Sequence, residues 1–139
     1  MRQAFAFVAA IILMAVGSVH LYWAAGGISL KDGAIPSRDG KPVFSPSAMM
    51  TASVAIGLFA FAFLLLVATG VIPTPVPATL LRAAAGCLAV VFALRAVGDT
   101  RYVGFFKHVK GSPFAKRDTF IYSPLCVLLA VLIGIVAVA

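Results

Sequence analysis

The chain predicts an all-α integral membrane protein: a four-helix transmembrane bundle built as two helical hairpins. Three observations carry that class. Four apolar runs, roughly Phe5–Ala25, Ala48–Thr69, Ala78–Val97 and Phe120–Ala139, fill most of the 139 residues. Each is about 20 residues, the length a helix needs to cross a hydrocarbon core ~30 Å thick. Within these runs the only charged residues are Arg82 and Arg95, both near ends. Finally, 63% of residues are hydrophobic, 11% are charged and the mean hydropathy is +1.11. A soluble domain carries about 25% charged residues, so a water-facing surface of ordinary size cannot be built from this composition. The spans are placed at about 5–25, 47–69, 78–97 and 119–138, and residues 1–139 are read as one membrane domain, since only about 55 residues remain for loops and tails.

The first run follows a short basic lead, Met1-Arg2-Gln3, and Ala15-Val16-Gly17 resembles a cleavage site. The apolar pattern nevertheless continues through Val19, Leu21 and Trp23, so it reads as a retained span rather than a signal peptide. Gly26-Gly27 is its stop. A polar, turn-rich loop follows to Ser45, holding Lys31-Asp32-Gly33 and Pro36-Ser37-Arg38-Asp39-Gly40-Lys41-Pro42. Ser45-Pro46 reads as N-cap and N1 proline of the second span. The connection Gly70–Pro77 carries three prolines and no charge. It predicts a short, stiff turn joining spans 2 and 3 antiparallel. Asp118 is placed to cap span 4. Phe44-Ser45-Pro46 and Tyr122-Ser123-Pro124 form a weak echo at the second span of each hairpin, compatible with a parallel repeat. Cys87 and Cys126 fall within spans 3 and 4 at different depths and are expected to be free thiols.

Lysine and arginine are very unevenly divided. The two longer loops hold Lys31, Arg38, Lys41, Arg95, Arg101, Lys107, Lys110, Lys116 and Arg117; the opposite end holds Arg2 and Arg82. The positive-inside rule places loops 26–46 and 98–118 in the cytoplasm and both termini outside. Topology and anionic headgroups account for the net charge of +7, with no need for nucleic acid.

Almost every reactive group lies at the loop end. His20, Tyr22 and Trp23 close span 1; Arg95, Asp99, Arg101 and Tyr102 close span 3; Lys107, His108, Asp118 and Tyr122 follow. His20 stands about one turn inside the boundary, where polar groups are costly and face protein or water. It can be an acid/base, a proton relay or a ligand, or a hydrogen bond between helices. Arg95 and Asp99 are spaced i, i+4 with Tyr102 three further on, so an unbroken helix puts them on one face. That face is either an anion site oriented by Asp99 or an ion pair ending the helix with snorkelling side chains. Ala85, Ala89 and Ala93 give span 3 a smooth packing face. There is no phosphate-binding glycine loop, no HExxH and no GxSxG. No metal site or cofactor is indicated.

His20-Leu21-Tyr22-Trp23-Ala24-Ala25-Gly26-Gly27 resembles the first motif of a bacterial membrane family, the domain of unknown function numbered thirty-nine ninety-five. Leu94-Arg95-Ala96-Val97-Gly98-Asp99, continuing through Arg101-Tyr102-Val103-Gly104-Phe105-Phe106-Lys107, resembles its second motif. Phe114-Ala115-Lys116-Arg117-Asp118 with Tyr122-Ser123-Pro124-Leu125-Cys126 resembles its third. The resemblance implies four transmembrane helices and a bacterial inner membrane, and it carries no established activity.

The expectation is an uncharacterised membrane protein with a polar pocket of His20, Tyr22, Trp23, Arg95, Asp99, Arg101 and Tyr102. That pocket binds a lipid or amphiphilic anion, or the protein assists a membrane assembly. Its expected partners are anionic lipid headgroups and a homo-oligomer or larger membrane complex. A small membrane enzyme using His20 as acid/base, and an oligomeric transporter, are the alternatives.

Overall fold

Lipid offers the backbone no hydrogen-bond partners, so apolar runs of this length must satisfy their own amides as helices. The computed structural model describes residues 1–29 and 31–139, with Asp32 described by its backbone alone. Among the described residues, four helical spans are long and apolar enough to cross a membrane. The first three are α1 (Arg2–Ala24), α2 (Ala48–Ala68) and α3 (Ala78–Val97). The fourth, Pro113–Val138, consists of a first turn α4 (Pro113–Arg117), a π turn (Asp118–Tyr122) and α5 (Ser123–Val138).

Glycine stops two of the helices by the same device. After α1, Gly26 takes φ +97°, its N–H donates to Trp23 O, and Gly27 N–H donates to Tyr22 O. After α2, Gly70 takes φ +75°, with Gly70 N–H on Val67 O and Val71 N–H on Leu66 O. Both are Schellman closures, which need a residue tolerant of positive φ. In the first loop, Asp39 and Gly40 both have positive φ and link β1 (Ser37–Arg38) to β2 (Lys41–Pro42), paired antiparallel in the register Ser37↔Pro42. This is the twist that a two-residue hairpin turn requires.

Two helix starts differ from the sequence expectation. The cap of α2 is Ser47, whose side chain accepts from Met50 N–H at 3.1 Å; Ser45-Pro46 lies ahead of it. The fourth span starts at Ser112-Pro113, with Ser112 Oγ accepting from Ala115 N–H. Asp118 is therefore inside the span and caps nothing. Pro124 explains the π turn beside it. Proline has no N–H for the Phe120 carbonyl and its ring crowds that carbonyl. Just upstream, Ser123 N–H reaches back five residues to Asp118 O, the longer step that defines a π turn.

Helix α1 packs along α2, and α3 along α5, as two hairpins. The hairpins meet chiefly through α1 against α5 and α2 against α3. Their shared core joins Ala6–Leu13, Ala62–Ala68, Leu81–Leu88 and Leu129–Val136. All four stretches lie toward the end that carries the termini. Nearer the loop end Gly17 of α1 lies against the Phe59 ring of α2, within one hairpin. At the terminal end two arginines close on helix carbonyls. Arg2 donates to Val136 O at 3.1 Å and to Ala68 O at 2.6 Å, and Arg82 donates to Ala139 O. Cys87 and Cys126 are free thiols.

Candidate functional site

The most tightly built polar feature is a buried ion network at the loop end. Asp118 has no exposed surface and Lys107 is 2% exposed. Asp118 Oδ1 accepts from Arg95 Nη2 at 2.9 Å, while Oδ2 accepts from Lys107 Nζ at 3.0 Å and from Gly104 N–H at 2.7 Å. Lys107 Nζ also donates to Gly104 O at 2.8 Å and Thr119 Oγ1 at 2.7 Å, so its three protons are all used. Burying charge is costly unless each partner is matched. Here one carboxylate serves two cations, and the network keeps a net positive charge.

The chain between α3 and α4 is shaped to deliver Lys107 inward. Helix α3 ends at Val97 because Gly98 takes φ 86° and ψ −169°, a region closed to side chains. Asp99 is therefore not on a helical face with Arg95, as an unbroken helix would require. Its Oδ1 instead accepts from the N–H groups of Arg101, Tyr102 and Val103 at 2.9, 2.7 and 2.9 Å. Burial pushes this carboxyl up, but the backbone donors of Val103, Tyr102 and Arg101 outweigh it and hold it below its usual value. Arg101 lies over the Tyr102 ring, 5.1 Å from its centre. The first loop is tied to the fourth span: Tyr122 OH donates to Gly33 O at 2.9 Å, and Gly33 packs under the Arg117 side chain.

The first-motif residues have separate tasks. Trp23 Nε1 donates to Ser29 O at 2.8 Å and Tyr22 OH to Ser29 Oγ at 3.3 Å, pinning the chain as it turns out of α1. His20 Nδ1 lies 2.9 Å from Val16 O, and its ring meets Trp23 edge-on at 5.2 Å. Among the described residues, no hydrogen bond, ion pair or ring contact joins His20, Tyr22 or Trp23 to Arg95, Asp99, Arg101 or Tyr102.

What relates His20 to Arg95 is register. A seven-residue step returns to nearly the same helix face. On α1 the buried Ala6 and Leu13 lead to His20; on α3 the buried Leu81 and Leu88 lead to Arg95. The same step toward the loop end carries Leu58 on α2 to Thr51, and Ile133 on α5 to Cys126. The stripes that begin in the shared core on α1 and α3 thus end at the loop side in His20 and Arg95. Arg95 reaches Asp118 with one terminal nitrogen, while its Nη1 is buried and has no hydrogen-bond partner among the described residues. The side chain as a whole keeps 35% exposure. Ser123 Oγ is likewise buried without a partner.

Lys107 and Asp118 were visible in sequence only as a loop lysine and a helix cap. Their pairing depends on Gly98 ending α3 and on α4 starting early, which spacing alone does not reveal. Arg95, Lys107 and Asp118 do all stand within the second and third motifs, which was the available signal.

The family model described as a protein of unknown function (DUF3995) matches residues 13–133. The chain belongs to this family and is a multi-pass membrane protein of four spans. No curated protein and no solved structure matches it significantly.

Proposed function

We propose that this is a non-enzymatic, single-domain membrane protein that binds an anionic amphiphile at its loop end, between the two hairpins. The observation that carries the reading is Arg95. One arm of its guanidinium is fixed by the buried Asp118, and Nη1 is left with no protein acceptor on the face that continues the core. A guanidinium held this way is pre-organised for a phosphate or carboxylate oxygen. An apolar chain would enter from the surrounding lipid between α1 and α3, which pack on α2 and α5 rather than mainly on one another. The surrounding face carries nine lysines and arginines against four aspartates, which draws anionic headgroups toward it. On this reading the loops face the cytoplasm, both termini face outward, and the membrane is a bacterial inner membrane. Assistance to a larger assembly is compatible with the same site.

The test is lipid retention by native mass spectrometry after reconstitution with phosphatidylglycerol or phosphatidylcholine. Wild-type protein should keep phosphatidylglycerol selectively. Arg95→Lys preserves a cation for Asp118 but gives up Nη1, and it should lose that selectivity; Lys31→Ala should not. Equal retention in all three proteins would overturn the reading.

A further inference from the structure

We infer that the bound headgroup carries a hydroxyl as well as an anionic oxygen, and that His20 is the residue that recognises it. The inference rests on the anionic-amphiphile reading and narrows its ligand class. It begins with the histidine ring. Nδ1 lies 2.9 Å from the Val16 carbonyl, and a carbonyl can only accept, so Nδ1 carries a proton. In the neutral ring Nε2 is then a lone-pair acceptor. No described residue donates to it: the ring's other neighbour is Trp23, whose own N–H is committed to Ser29 O.

The second element is placement. His20 continues the Ala6–Leu13 stripe and Arg95 the Leu81–Leu88 stripe. These stripes face the inside of the bundle from helices that each pack on α5 and α2 rather than mainly on one another. By register the half-buried ring and the guanidinium stand on the inward stripes of α1 and α3 at the loop end, and on this inference they face one inter-hairpin space. Arg95 Nη1 can only donate, and Nε2 of the neutral His20 accepts. A ligand satisfying both presents an acceptor to Arg95 and a donor to His20. A phosphate ester bearing a free alcohol meets that pattern; a phosphate ester capped with an alkyl group meets only half of it. Leaving a polar group of the site unpaired is what makes such discrimination effective.

The experiment compares phosphatidylglycerol with phosphatidylmethanol. The two carry the same charge and differ in the headgroup hydroxyls. Each is offered to the full chain in competition with phosphatidylcholine, and retained lipid is counted by native mass spectrometry. Wild-type protein should favour phosphatidylglycerol over phosphatidylmethanol by about two- to tenfold, the range of one ordinary hydrogen bond. His20→Phe should retain both anionic lipids equally. Equal retention by the wild-type protein overturns the inference and leaves the anionic reading standing, and this comparison needs no variant to fold. A preference that persists in His20→Phe also overturns it, because another residue then reads the hydroxyl. If neither anionic lipid outcompetes phosphatidylcholine, the underlying reading falls and the inference falls with it.

Discussion

Lys107 Nζ stands 3.0 Å from Asp118 Oδ2, and neither side chain reaches the surface to any useful extent. A lysine eleven residues upstream, in a loop, has been brought inside to neutralise an aspartate within a membrane-spanning helix. Removing Asp118 leaves Lys107 buried without a counter-charge, whereas removing Lys107 leaves Asp118 paired with Arg95 and its Oδ2 with one donor fewer. Asp118→Ala should destabilise the protein by about 3–5 kcal/mol and Lys107→Ala by less, because Arg95 still faces Asp118; both are read as a shifted midpoint in detergent-mediated unfolding. The paired change Lys107→Ala with Asp118→Ala should cost less than the sum of the two. A strictly additive result would mean that the ion pair carries no coupling.

Gly98 should tolerate no side chain. Its φ of +86° is strained for any L residue, and an added Cβ would run into the Val103 carbonyl. Gly98→Ala is expected to cost about 1–3 kcal/mol from backbone strain alone, with the collision added. Gly57, inside α2, has open space around its Cβ position. Gly57→Ala should be neutral or stabilising by up to about 1 kcal/mol. The two midpoints, measured side by side, separate strain from a general intolerance of alanine.

The loop held by Asp99 should loosen in acid. Its carboxyl titrates below the ordinary value of 3.8 when folded. Its contribution is therefore complete above that value and is lost as pH falls through the lower, folded one. Amide exchange at Arg101, Tyr102 and Val103 should rise, relative to intrinsic rates, only below about pH 4. Asp99→Asn, which keeps one acceptor oxygen, should flatten that rise. An unchanged profile would show that the carboxylate does not hold the loop.

Arg2 joins the two hairpins at the other end, by donating to Ala68 O and Val136 O. Hydrogen bonds from a charged donor are worth about 1.5–3 kcal/mol each when well shielded, and this side chain is only half-buried. Arg2→Gln should lower stability by about 1–2 kcal/mol, with the loss appearing as earlier separation of the hairpins. Crosslinking between engineered cysteines on α1 and α5 would follow that separation directly.

The membrane class and the four spans were legible because apolar length is a one-dimensional property. The stops at Gly26-Gly27 and Gly70 were equally readable, since positive φ selects glycine. The starts were harder. Ser45-Pro46, Ser47 and Ser112-Pro113 all offer capping oxygens, and only packing decides which is used. Arg95 with Asp99 was the misleading pair. Their spacing suits a helix, but Gly98 breaks it between them, and Arg95 turns instead to an aspartate twenty-three residues away. The His20–Arg95 relationship lay in the sequence as two heptad steps from Leu13 and Leu88. It became meaningful only once those leucines were seen to be core.

The arginine contacts at the terminal end bear on how the chain responds to an electric field. Arg2 and Arg82 sit against helix C-terminal carbonyls, where the helix dipole concentrates partial negative charge. That contact offsets part of their charge where it stands. On the face bearing the loops nine lysines and arginines stand against four aspartates, so a net positive charge remains. The molecule is thus electrically one-sided across its long axis. A transmembrane voltage would act on its orientation mainly through the loop-bearing face, where most of the net charge lies.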